Sequence, residues 1–180
     1  MDITSKPSTG ELVDIVAMLA DQRNTFLIPM RGISEEQSRT RSTTSQLTLG
    51  SLVKHVASVE ASWIKTLQEA DEDAVFNMDE GLESHTVHPE ETFEKLLQNY
   101  QAGANTTAEA IASIEDLDLL IPLPSAPWQS GREYWTVRRI LLHILRETAQ
   151  HSGHADIIRE QLDGASTTLT MGADAGMNFD

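Results

Sequence analysis

Four long stretches of this chain repeat apolar residues every three or four positions, and that period commits it to helices packed on one another rather than to a sheet. The first runs from about Gly10 to Leu27, with Leu12, Ile15, Val16, Leu19, Phe26 and Leu27 on one stripe. Thr48 can cap a second helix that reaches about Glu69 and turns Leu52, Val53, Val56, Val59, Trp63, Ile64 and Leu67 inward. A third, with Pro89 at its first position and Glu90 and Glu91 where the helix dipole favours acids, continues through Phe93, Leu96, Leu97 and Tyr100 to about Ile114. Thr136 caps the fourth and strongest, which stops at Asp163-Gly164, a glycine end signal. No segment alternates as a half-buried strand does, so the fold class is all-α, a four-helix bundle.

The connections are less regular. Ser34 through Gln37 has the pattern of a capped single turn. The acidic stretch Ala70–Val87 is weakly periodic and reads as a long loop with room for a short helical piece. Pro122, Pro124 and Pro127 exclude regular helix from a connection that also holds Trp128, Tyr134 and Trp135, aromatic residues suited to pinning it against the bundle. The 180 residues divide into one domain, residues 1–164, and a small, polar tail, 165–180, expected to be loosely held.

Composition narrows the function classes. Twenty-eight acids against 13 bases give a net charge of −15, a field that repels phosphate backbones, and the bases are scattered, so no nucleic acid is expected as a partner. The chain has no cysteine, which excludes disulfides, thiolate ligands and a cysteine nucleophile of its own. Without a charged-then-apolar leader, and with no apolar run near the ~20 residues that cross a bilayer, it is expected to be cytoplasmic and to have no membrane partner. Apolar area on the proline-aromatic connection makes a homodimer a reasonable expectation.

The chemistry concentrates on the fourth helix. At ~100° per residue, His143, Glu147, His151 and His154 project within about 80° of one another. Glu147 and His151 are an i, i+4 pair, close enough to share a cation. Two ligands from one helix do not complete a site, and His55, which interrupts the apolar stripe of the second helix, is the best third. A lone histidine in such a stripe is usually a hydrogen-bonded core residue; the cluster opposite is what favours a ligand. His85 and His88 lie in a polar loop and read as surface residues, and Trp63, Trp128 and Trp135 read as packing. Nitrogen and carboxylate donors suit a divalent metal, zinc first, with nickel, iron and manganese as alternatives. Three protein ligands leave an open position, as in a catalytic centre. A di-iron site needs Glu-x-x-His on two helices, whereas the spacing here is Glu-x-x-x-His and occurs once.

The segments Leu49-Gly50-Ser51-Leu52-Val53-Lys54-His55 and Glu147-Thr148-Ala149-Gln150-His151-Ser152-Gly153-His154-Ala155-Asp156 resemble the two signature regions of the DinB-like (YfiT-like) metalloprotein superfamily, nearest to a branch related to mycothiol-dependent maleylpyruvate isomerase. The likeness runs from the first helix to Gly164. It implies an up-down-down-up bundle with a metal triad formed by His55, Glu147 and His151, and it places His154 one turn beyond the ligands. The common three-histidine version of the triad would have histidine at Glu147; this chain matches the carboxylate version.

The resemblance further implies a metal-dependent transferase or isomerase that uses a low-molecular-weight thiol such as mycothiol against an electrophilic substrate, with His154 or His143 relaying the proton. Two alternatives use the same residues: hydrolysis by a metal-bound hydroxide, and a non-catalytic metal-binding bundle with a stress-related role.

Overall fold

A computed structural model of the chain describes residues 10–177. Four long helices form the frame: α1 (Glu11–Leu27), α3 (Leu49–Glu69), α5 (Phe93–Ala112) and α6 (Val137–Asp163). Shorter elements join them: a 3₁₀ turn (Ile28–Met30), α2 (Glu35–Arg39), α4 (Met78–Glu83) and an antiparallel pair of three-residue strands, β1 (Leu120–Pro122) and β2 (Tyr134–Thr136), with Ile121 opposite Trp135. After the bundle comes α7 (Thr167–Asp174). Among the described residues no helix is long and apolar enough to cross a membrane.

Helix directions follow from the two ends of the core. Phe26 at the end of α1 packs with Leu49, Leu52, Val53 and Val56 at the start of α3, Phe93 and Leu96 at the start of α5, and Ala155 and Ile158 late in α6. At the other end, Ile15 and Leu19 from the start of α1 meet Ile64, Ala110 and Ile111 from the ends of α3 and α5, and Ile140, Leu141 and Ile144 early in α6. Thus α1 and α6 run one way and α3 and α5 the other, the up-down-down-up order. Each fully buried Leu or Ile of these clusters contributes about 1.5–3 kcal/mol.

This order has a cost in connectivity. Because α3 and α5 are parallel neighbours, the chain leaving Glu69 must return along the whole of α3, a span of ~30 Å, before α5 begins. The acidic stretch after Glu69 is that crossover, and it carries α4. One buried ion pair braces the frame: Glu60 of α3, 2% exposed, receives Arg23 Nη2 of α1 at 2.5 Å and the Thr107 hydroxyl of α5 at 2.5 Å.

Several boundaries differ from the sequence expectation. The third bundle helix begins at Phe93 rather than Pro89, because the Thr92 hydroxyl caps it on the Lys95 amide while Glu91 folds back onto the His88 amide to close a separate turn. The strands β1 and β2 fall inside the proline-aromatic connection, too short to give an alternating pattern. The tail is not loose over α7: Thr167 N–H donates to Asp156, and Arg31 pairs with Asp174 at 2.6 Å. Its last residues, 178–180, lie outside the described residues. The three expected N-caps are present, Ser34 accepting from Gln37 N–H, Thr48 from Ser51 N–H and Thr136 from Arg139 N–H, and Gly164 closes α6 at φ 79°, a left-handed position that suits glycine.

Candidate metal centre

The first turns of α3 face the middle of α6, and that contact brings His55 opposite Glu147 and His151. Each of the three offers a ligand atom, and the three atoms lie within 4.8 Å of one another, close enough for one cation to draw them in. His151 is buried, whereas His55 and Glu147 are half-buried. Two nitrogens and a carboxylate oxygen form a donor set that fits zinc and its first-row neighbours.

The surroundings of Glu147 and His151 indicate which of their donor atoms is free. The two carboxylate oxygens of Glu147 are used differently: Oε1 receives Arg146 Nη2 at 3.0 Å and lies 3.5 Å from His143 Nε2, while Oε2 faces His151 Nε2 at 3.9 Å. Oε2 is therefore the oxygen turned toward the other donors. Behind His151, its Nδ1 lies 3.3 Å from Nδ1 of His154, a contact that needs one proton between the two nitrogens. With that proton on His151, its Nε2 keeps a lone pair toward Glu147.

Burial pushes the His55 imidazole down to about 4, helped by the neighbouring His85 and His151 rings and opposed by Glu147. His151 and His143 are also lowered, burial again being the main cause. Neutral rings at pH 7 have their lone pairs available to a cation without first losing a proton.

His143 and His154, expected as proton relays, are half-buried beside the candidate donors, His154 against His151 and His143 against Glu147. His143 stands edge-on to Trp63 and Trp135, which stack on each other at 4.9 Å and 8°, and it leans on Glu147. His85 corrects the sequence reading in part. It is exposed, as expected, but its ring stacks on His55 at 3.8 Å and 16°, so it belongs to the surroundings of the centre. His88 pairs with Glu83 on the crossover. Trp128 is 64% exposed and packs on Phe76 instead of on the bundle.

A groove of about 860 Å³ begins at His55 and Ser84 and follows α3. Ser58, Ser62 and Thr66 line one side on successive turns, and Val75, Phe76, Pro122 and Pro124 supply an apolar side. Two connections thus form its walls, and they are tied together. Phe76 N–H donates to Ser125 O and Ser125 N–H to Ala74 O, each at 2.9 Å, while the Arg132 guanidinium donates to Leu123 O at 2.6 Å, Ala74 O at 3.1 Å and Glu72 O. The volume is that of a small-molecule site. Sequence reasoning found neither the groove nor Ser84 and Arg132, because both residues lie in connecting segments without periodic pattern.

Comparison with known proteins adds to this geometry. A family model described as mycothiol-S-transferase matches residues 14–164. No curated protein matches the sequence. Among solved structures, a conserved protein from Enterococcus faecalis aligns with TM-score 0.66 and 16% identity over 88% of this chain and 100% of its own. A protein from Streptococcus pneumoniae aligns with TM-score 0.60 and 12% identity over 86% and 90%. At these identities the likeness shows the fold alone. YfiT from Bacillus subtilis, described as a probable metal-dependent hydrolase with an unusual four-helix bundle topology, aligns with TM-score 0.47 and 13% identity over 99% and 95%, a superposition too loose to bear weight.

Proposed function

The chain belongs to the mycothiol-S-transferase family, and on that premise we propose that it is a metal-dependent enzyme that joins a small thiol, mycothiol or a close analogue, to an electrophilic substrate. The observation that carries this reading is that His55, one of three donors whose ligand atoms lie within 4.8 Å of one another, also lines the groove, so a molecule bound there would lie beside the donor cluster. A divalent cation held there, zinc by the donor set, supplies Lewis acidity and lowers the pKa of a coordinated thiol from its usual ~8.5.

The chain's own residues do the rest. His154 holds His151 in a ligating tautomer, and His143 and Arg146 hold Glu147 so that one oxygen stays turned inward. The hydroxyls of Ser58, Ser62 and Thr66 suit a polyhydroxylated thiol, and the Val75, Phe76 and proline side suits an apolar electrophile. In the reaction the sulfur gives its proton to water and forms a bond to the electrophilic carbon. In a substitution the leaving group departs with the electron pair of the broken bond, and in an addition that pair stays on the substrate and takes up a proton from water.

The test is metal analysis of protein purified without a polyhistidine tag, followed by thiol-consumption assays with the loaded protein against a panel of electrophiles. About one equivalent of metal and thiol loss that stops on chelation is the expected result. Stoichiometric metal with no thiol loss across the panel would overturn the transferase reading, and a failure to bind any first-row divalent metal would overturn the centre itself.

A further inference from the structure

Ser84 and His85, neighbours on the crossover between α3 and α5, hold the ring of His55 from two directions. Ser84 ends α4 and is 6% exposed. Its Oγ lies 2.7 Å from the carbonyl oxygen of Gly81 and 2.9 Å from Nδ1 of His55. A serine hydroxyl has one proton and a carbonyl can only accept. That proton therefore goes to Gly81 O, and the oxygen lone pair faces His55. Nδ1 must then be the ring nitrogen that carries hydrogen, and Nε2 is left as a bare lone pair. The His85 ring lies parallel on the same imidazole and resists its rotation.

We propose that Ser84 is a positioning residue of the metal centre, which locks His55 in the Nδ1–H tautomer so that Nε2 is the ligating atom. Histidine ligands commonly donate their second nitrogen in this way, and loss of the acceptor typically costs 10–100-fold in metal affinity. Here the acceptor comes from neither ligand helix. It comes from the crossover that also walls the groove, so the segment that shapes the binding space also sets the ligand beside it.

The inference rests on the metal-centre reading, and its first test needs no metal. Long-range ¹⁵N–¹H correlation spectra of the metal-free protein at pH 7, with His55 assigned from a His55→Gln variant, are expected to show a pyrrole-type Nδ1 and a pyridine-type Nε2. Ser84→Ala is expected to move His55 toward the other tautomer, with zinc affinity, measured by chelator competition, falling about 10–100-fold. The pair Ser84→Thr and Ser84→Val controls for shape: Thr keeps the hydroxyl and restores tautomer and affinity, and Val of similar volume does not. An Nε2–H tautomer in the parent protein would overturn the proposal, as would equal tautomer and affinity in the Thr and Val variants. An Nδ1–H tautomer that depends on Ser84 in a protein that binds no zinc would support the lock and sink the metal-centre reading instead.

Discussion

Nδ1 of His151 lies 3.3 Å from Nδ1 of His154, one helical turn along α6, so the two rings share a single proton at that contact. The expected consequence is that His154→Ala keeps a folded protein but loses about tenfold or more in zinc affinity, because His151 is freed to rotate and to change tautomer. Isothermal titration or chelator competition gives the number. Unchanged affinity would mean that His154 does not act through His151.

For the donors themselves, His55→Ala and His151→Ala are expected to lose most bound metal while their circular dichroism stays helical. The bundle is held by the two apolar clusters at its ends and does not require the ion. Stoichiometric metal in both variants would remove the triad. His88→Ala should leave metal content at the parent value, since its partner is Glu83. His85→Ala should instead perturb the visible spectrum of the cobalt-loaded protein, because its ring covers His55.

With Glu147 as a donor, the proposed centre would differ from a three-histidine one. A carboxylate adds negative charge beside the metal and lowers its Lewis acidity relative to a neutral imidazole. Glu147→His is expected to stay loaded with an altered thiol-dependent rate, whereas Glu147→Ala should bind metal more weakly. If both variants bound metal like the parent, His143, 3.5 Å from the Glu147 carboxylate, would become the leading ligand in its place.

The Glu60–Arg23 pair predicts a stability effect without any metal. Arg23→Ala strands a carboxylate that is 2% exposed, and removing one partner of a buried pair typically costs about 3–5 kcal/mol. For a chain of this length that lowers Tm by on the order of 10 °C. Replacing both residues together by apolar ones of similar volume should recover much of the loss. A Tm for Arg23→Ala within a degree or two of the parent would show that Glu60 finds another partner.

Acid should weaken the metal-free protein through His55. Its native value of about 4 lies below the 6.5 of an unperturbed histidine, so between those values the unfolded chain binds more protons than the folded one. Stability is then complete above about pH 6.5 and falls as the pH drops toward 4. Urea midpoints at pH 7 and pH 5 measure the slope, and His55→Leu should flatten it. An equal slope in that variant would assign the pH dependence to other groups, such as His151 and His143, which are lowered in the same sense.

What the sequence made legible depended on how locally each feature was encoded. Glu147 and His151 could be seen as a pair because one helix carries both, and His55 stood out because a polar ring interrupts the stripe Leu52, Val56, Val59. The four helices were legible for the same reason, since their period repeats over many turns. Ser84 and His85 were not, because their partner lies on a helix that the crossover meets only after folding back, and nothing periodic marks that return. The start of α5 was misplaced for a related reason: Pro89 is an acceptable first helical residue, but Thr92 offers a side-chain cap and Glu91 is drawn away by the His88 amide and Lys54.

The parallel placement of α3 and α5 also bears on how the chain reaches its native state. In a bundle of simple hairpins each helix packs first on its sequence neighbour, and such local contacts make helical proteins fast folders. Here α6 packs on α1 and on α3, pairing the last bundle helix with segments laid down far earlier, as in the contact of Gln22 with Ser152 at 2.7 Å. Those closures must wait until most of the chain is in place. Refolding should therefore be slower than in an up-down-up-down bundle of equal length, with the His55–Glu147–His151 cluster among the last features to assemble.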